Sequence, residues 1–362
     1  MDFNLLLVLV AFAGGAMGAV FGCLLAFIFV PVVIAAGLGA MGSPEILGVL
    51  GFGGWGFYAP HISFTGGAFA SAYAKWKGYI KSGQDITTAL VGLRKPDVLL
   101  MGGVGGVLGY LCMILHAKFL TGFIDGVPFA VVITALISKV VFDGSIFGKT
   151  PPEVKAAGGR FSVNSPVCWI PYVSSGLEKT LLGLIMGIGG AYATVLLAGN
   201  PNTAAWAAFL PFAVSVFSLI GFYFGVAIAP NHHIVYCASL GVLFYAAYAH
   251  GGAGALAAVD GVQNPEVVRG AMLWGVSSAV MAAFMADFGA RTLHLYGNKI
   301  GGVHVDPPTC GIFFTSIFCV FVFKFFYASP VLTVAVPVAI LVIAAILSVV
   351  DLSGQKKAAQ AA

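Results

Sequence analysis

Ala59-Pro60-His61-Ile62 and, about half a chain later, Ala229-Pro230-Asn231-His232-His233-Ile234 are two copies of one short word. Downstream of the first stand Phe69 and Ala72-Tyr73-Ala74, and downstream of the second stand Phe244 and Ala247-Tyr248-Ala249. A run of aromatic residues and glycines precedes each copy, at 52–58 and 221–225. A proline-acid pair follows each (Pro96-Asp97; Pro265-Glu266), and then an apolar segment that opens on an acid and a proline (Asp125 to Pro128; Asp306 to Pro308). With a mean hydropathy of +1.01, two related halves point to a duplicated membrane protein. Such proteins place the substrate site where the halves meet.

Composition agrees. Charged residues make up 8% of the 362 positions and hydrophobic residues 60%, whereas a soluble domain carries about a quarter charged. Lipid is therefore the expected main solvent. The net charge of +4 comes from basic residues gathered in a few loops, where they set orientation and do not form a nucleic-acid surface. The N-terminus lacks a basic start and a small-residue cleavage site, so it reads as the first transmembrane helix and not as a signal peptide. The six cysteines lack CxxC spacing and read as small buried hydrophobes.

A bilayer core takes about 20 apolar residues per helix. That ruler gives spans near 4–30, 41–59, 61–80, 97–117 and 124–142, then 180–199, 204–229, 232–250, 266–290 and 307–327, with a last one at 330–350. The segment 41–80 also fits a single broken crossing, in which case the run up to Ala40 supplies two. The expected domains are a first transmembrane repeat (1–142), a polar cytoplasmic linker (143–179), a second repeat (180–327), and an extra C-terminal helix and tail (328–362). Lys75, Lys77, Lys81, Arg94 and Lys95 place the loop after the third span inside. The equivalent loop of the second half, 251–264, has no Lys or Arg. An odd number of spans per half inverts the second copy, and the charges agree. The fold expected is an all-α polytopic membrane protein: an inverted repeat of about five plus five helices, some broken or half-length, plus one trailing helix. Gly14, Gly18 and Gly22, Gly102 and Gly106, and Gly105 and Gly109 sit four apart, the spacing that lets helix backbones approach closely in lipid.

Pro60 and Pro230 each withhold a backbone N–H and end or kink a helix. Broken backbone survives at membrane depth only against protein or a water-filled cavity. A helix restarting after each proline aims N–H groups and partial positive charge at the break. His61, Asn231, His232 and His233 lie there, with Ser63 and Thr65 close behind. The competing explanation is that the two words only cap helix hairpins at the membrane surface. The second pair of candidates is Pro128 and Pro308 with Thr309. Asp125 and Asp306 precede these prolines as N-caps, and the helices they start could flank a pathway. Thr134, Thr315 and Ser316 are further lining candidates. Asp287 and Arg291, four apart, read as a local ion pair, and Lys139 and Lys324 as residues that snorkel to the interface. No acid stands alone in mid-helix, which favours a channel or uniporter over an ion-coupled carrier.

The outline resembles the broad class of inverted-repeat channels and transporters with five helices per half, of which urea transporters are one example. The resemblance covers architecture only, and no residue roles follow from it. The expected activity is that of a channel or facilitative transporter for a small polar or anionic solute, located in the plasma (inner) membrane of a prokaryote. Its C-terminus would be cytoplasmic and its N-terminus outside. A secondary active transporter and a structural membrane subunit are the alternatives. No nucleophile motif, phosphate loop or HExxH is present, so neither enzymatic activity nor a cofactor or metal is expected. The expected partners are the solute, the lipid bilayer and further copies of the chain.

Overall fold

The computed structural model describes residues 3–41, 59–258, 263–298 and 302–361. These are 74% helical and contain no strand. Twelve α-helices are labelled here: α1 Leu5–Phe21, α2 Cys23–Met41, α3 Ser63–Trp76, α4 Pro96–Phe119, α5 Gly126–Ser138, α6 Pro152–Ala156, α7 Gly176–Ala198, α8 Phe209–Phe217, α9 His232–His250, α10 Pro265–Gly289, α11 Pro307–Ile317 and α12 Pro330–Ala361. π-helical turns extend α5, α10 and α11 to Asp143, His294 and Val322.

Six of these helices, counted with their extensions, are long and apolar enough to cross a bilayer: α4, α5, α7, α10, α11 and α12. α1 and α2 together make a seventh, but they bend by 115° at their junction. The expected single span 4–30 is therefore broken. Gly22, at φ +86°, provides the break, and a Cβ there would press on the carbonyls of Thr87 and Thr88. The expected span 204–229 is also shorter than read: α8 passes into a 3₁₀ stretch, Ser218–Phe224. The expected span 41–59 lies almost wholly outside the described residues. Exposed apolar side chains run along α4 (Leu100, Leu111), α7 (Ile185, Ile188) and α12 (Val342, Ile346). A water-soluble surface rarely carries such continuous apolar cover. This surface and the six long apolar helices have the character of a membrane protein.

Two triads organise the bundle. α1, α3 and α4 pack on one another, as do α7, α9 and α10. Glycines bring the first triad together: a Cβ on Gly66 would strike the backbone of Gly15 and Gly102, and one on Gly109 would strike the carbonyl of His61. In the second triad, a Cβ on Gly241 would meet the Trp274 carbonyl, and one on Gly275 would meet Ala191 and Val242. These approaches allow backbone contact where lipid supplies no hydrophobic drive between helices. Onto the triads fold α5 (against α4) and α11 (against α10), while α2 meets α3 and α8 meets α9. Between the two sets, α2 touches α8 and α5 touches α11. A buried cluster containing Phe27, Phe64, Val131, Phe212 and Leu219 fills that seam. α12 lies outside, against α7 and α10.

Two charged positions differ from expectation. Lys139 does not snorkel: it is 1% exposed, and its Nζ donates to the carbonyls of Leu293 and Tyr296, both at 2.6 Å. Asp287 does pair with Arg291 (2.8 Å), but the same carboxylate oxygen also takes Lys179 of α7 at 2.6 Å. Between Asp143, where the extension of α5 ends, and Gly176, where α7 begins, the chain is irregular apart from α6 and a short turn at Pro171–Val173, yet it is stitched down. Arg160 donates to the carbonyls of Phe147 and Gly148 (both 2.8 Å), and Arg291 donates to those of Arg160 (2.9 Å) and Ser162 (3.0 Å).

Candidate functional site

Two cavities lie along the seam between the triads. The first, of about 360 Å³, is walled by α2, α3, the 3₁₀ stretch after α8 and the starts of α9 and α11. Its polar groups are Gln84, Thr87, Trp169, His232, His294, His304, Asp306 and Thr309. The second, of about 290 Å³, contains His116, Asp125, Tyr236 and Thr309 among apolar side chains such as Met113 and Phe209. Phe27, Pro60, Val131, His232 and Thr309 border both and form the wall between them.

Local chain chemistry explains why helices begin at this wall. Pro60 has no N–H to give, so the chain turns through 60–62, with Ile62 and Ser63 N–H groups bonding the Ala59 carbonyl at 2.8 and 2.9 Å. α3 then starts at Ser63. In the second copy Asn231 is the N-cap, its carbonyl accepting from Ile234 and Val235, both at 3.0 Å, and α9 starts at His232. The His232 ring lies edge-on to Phe27 (5.2 Å) and Phe212 (6.0 Å), which fixes it at the seam.

α5 and α11 begin on opposite sides of the wall. Asp125 caps α5 by accepting from the Val127 N–H (2.9 Å), and it also accepts from the Tyr236 hydroxyl of α9 (2.7 Å). Asp306 caps α11 by accepting from the N–H (2.8 Å) and hydroxyl (2.5 Å) of Thr309, with His304 Nε2 at 3.2 Å from its other oxygen. The His294 ring stands 4.8 Å from that of His304, and its Nδ1 accepts from the Val305 N–H at 3.3 Å.

The candidates named from sequence separate into two groups. Pro60, His232 and Thr309 border both cavities, Pro230 and Pro308 border the first, and Pro128 borders the second. His61, Ser63, Asn231 and His233 border neither. His61 is buried with its carbonyl against α4, and Ser63 donates back to the Ala59 carbonyl at 3.3 Å. His233 is turned towards Gly311 of α11. Asn231 lines a lateral groove between α7 and α8. Thr65, with Thr134, faces a crevice of about 10 Å³ beside Asp306, room for about one water. Thr315 is fully buried, and Ser316 accepts from the Asp125 N–H at 3.2 Å.

Sequence reasoning missed His294, His304 and Trp169 as wall residues. The visible signal was His304-Val305-Asp306 directly ahead of Pro307-Pro308, a histidine two residues from a helix-capping acid. It also undervalued the acids: Asp125 and Asp306, though not in mid-helix, both border cavities. Among the described residues, no group of three His, Cys, Asp or Glu is arranged to hold a metal ion.

The chain belongs to a family of unknown function (DUF7973), which it matches over residues 1–341. No curated protein and no solved structure matches it.

Proposed function

We propose that the protein is a membrane channel or facilitative transporter, passing a small polar solute between two inverted halves. The observation that carries this reading is a pair of cavities that share five lining residues, Phe27, Pro60, Val131, His232 and Thr309. The first cavity is bordered by Gln84, Thr87 and Trp169, from segments whose charges assign them to the inside. The second is bordered by His116 and Asp125, which flank the short turn that counting the spans onward from the basic loop puts outside, with Lys118 the one charge against it. A pathway narrowed at this wall to apolar and histidine side chains is an arrangement by which channels select and gate.

Packing supports the inverted repeat. Matching α1–α5 to α7–α11 in order, each contact made within the first set has its counterpart in the second, and equivalent helices (α2 with α8, α5 with α11) meet across the seam. Contact between equivalent elements is what a pseudo-twofold axis through the wall produces. The test is solute flux into proteoliposomes from a panel of small neutral, cationic and anionic compounds. Downhill movement that ignores an imposed proton or sodium gradient is the expected result, and flux no faster than in protein-free liposomes would remove the reading.

A second reading is favoured by one observation: Asp306 and His304 form a buried titratable pair on the cavity wall. A proton-coupled carrier would use such a pair, and accumulation against a gradient that Asp306→Asn abolishes would decide for it.

A further inference from the structure

We propose that the solute is a small cation carrying N–H donors, ammonium or a small protonated amine, and not an anion; this rests on the pathway reading above. The starting observation is the charge of the walls. Among the described residues neither cavity is bordered by Lys or Arg, and each holds one carboxylate, Asp306 or Asp125. Helix N-termini attract anions through their unpaired N–H groups and partial positive charge. Of the helix starts at the cavities, those of α3 and α9 have no side-chain cap, whereas those of α5 and α11 are covered by the chain's own acids: Asp125 takes the Val127 N–H and Asp306 the Thr309 N–H. An incoming anion would meet a carboxylate on either side of the wall.

The histidines add acceptors. A carboxylate only accepts, so His304 Nε2, facing Asp306 Oδ1 at 3.2 Å, carries the proton. In the neutral ring Nδ1 is then a lone pair, and that buried atom has no hydrogen-bond partner among the described residues. His294 adds no free acceptor, because its Nδ1 already accepts from the Val305 N–H and its proton is on Nε2. His232, which borders both cavities, also has a buried Nδ1 without a partner among the described residues, an acceptor when Nε2 carries the proton. An unmet buried acceptor costs free energy until a donor arrives. Aromatic faces complete the match: Phe27, Phe64 and Trp169 border the first cavity, and Phe209, Phe212 and Tyr236 the second, surfaces that attract cations through the ring quadrupole.

The test is uptake by proteoliposomes containing the full chain, with four probes: methylammonium, tetramethylammonium (charge without N–H), acetamide (N–H without charge) and formate. Methylammonium should equilibrate fastest, ahead of each of the other three. Asp306→Asn and His304→Ala should each slow it by about tenfold or more, the scale of losing a charged or fully buried acceptor. As a readout independent of the variants' folding, methylammonium chloride should raise the melting temperature of the wild-type protein in detergent, and sodium formate at equal ionic strength should not. Formate, acetamide or tetramethylammonium moving as fast as methylammonium would overturn the substrate class while leaving the pathway in place. No probe exceeding protein-free liposomes would overturn the pathway and this inference with it.

Discussion

Asp287→Asn should be among the most destabilising single changes in this chain, and it should act on stability and not on transport. One oxygen of Asp287 holds both Lys179 Nζ (2.6 Å) and Arg291 Nε (2.8 Å), with the three side chains 7–8% exposed. Each contact is a charge-assisted hydrogen bond worth about 1.5–3 kcal/mol. Their loss leaves two cations buried together, and breaking such a pair costs about 3–5 kcal/mol. Lys179→Met keeps the Asp287–Arg291 pair neutral and removes a single bond, so about 1–3 kcal/mol is expected. The double variant restores the original charge sum of the cluster. It should therefore be less destabilised than the two singles added together, by a coupling of about 0.5–3 kcal/mol. Equilibrium unfolding in detergent, followed by circular dichroism, measures all three. Asp287 borders neither cavity, so whatever Asp287→Asn protein remains folded should transport at the wild-type rate. An Asp287→Asn cost below about 1 kcal/mol, or strictly additive singles, would refute the argument from buried charge.

Three other outcomes are expected. Single cysteines placed in the Lys75–Lys95 loop and in the 251–258 segment should react with an impermeant thiol reagent from opposite sides, and labelling from one side would remove the inverted repeat. His232→Ala should change flux or selectivity, because its ring belongs to the wall, whereas His61→Ala and His233→Ala should act through packing. His250→Ala is the control, since that ring bonds the Tyr245 hydroxyl (2.9 Å) and borders neither cavity, while His294 is unsuited because it does. Asp85, in the loop beside the first cavity, titrates low: partial burial pushes its carboxyl up, but hydrogen bonds from Thr88 and Thr87 outweigh this and hold it below the usual carboxylate range. A depressed carboxylate stabilises above its unfolded value and loses that contribution as pH falls through the folded one, so the melting-temperature gap between wild type and Asp85→Asn should close on acidification. A gap independent of pH would mean that the four bonds from Thr87 and Thr88 contribute nothing.

Helical character and the helix starts were legible because they rest on local rules. Pro96, Pro265 and Pro307 each open a helix, and Asp125, Asn264 and Asp306 each cap one with a side-chain oxygen. Glycine spacing announced close packing, but not which residue plays which part. Gly15, outside the four-residue series, takes a backbone contact with α4, Gly18 takes one with α3, and Gly22 serves as a break. That distinction is a matter of rotation about the helix axis, and four-residue spacing is silent on it. The fate of Lys139 was hidden for a different reason. Its partners are the carbonyls of Leu293 and Tyr296, left available where α10 ends in a π-helical turn. No side-chain pattern records a backbone acceptor more than 150 positions away.

The site shows how far a repeated word can mislead. Aligned on their prolines, the two copies put histidine one position after Pro60 but two and three positions after Pro230. Their helices also start differently: Ser63 is the third residue after Pro60, whereas His232 is the second after Pro230. His61 is thus in the turn, its carbonyl held against α4, while His232 is the first residue of a helix and is aimed by that helix into the seam. One residue of offset is a rotation of about 100° on a helix, enough to turn His233 towards Gly311 and away from both cavities. Two copies of one word need not place the same side chain at a shared wall. Pro60 and His232 both border both cavities, so the first copy of the word contributes a break in the backbone to the wall and the second an imidazole.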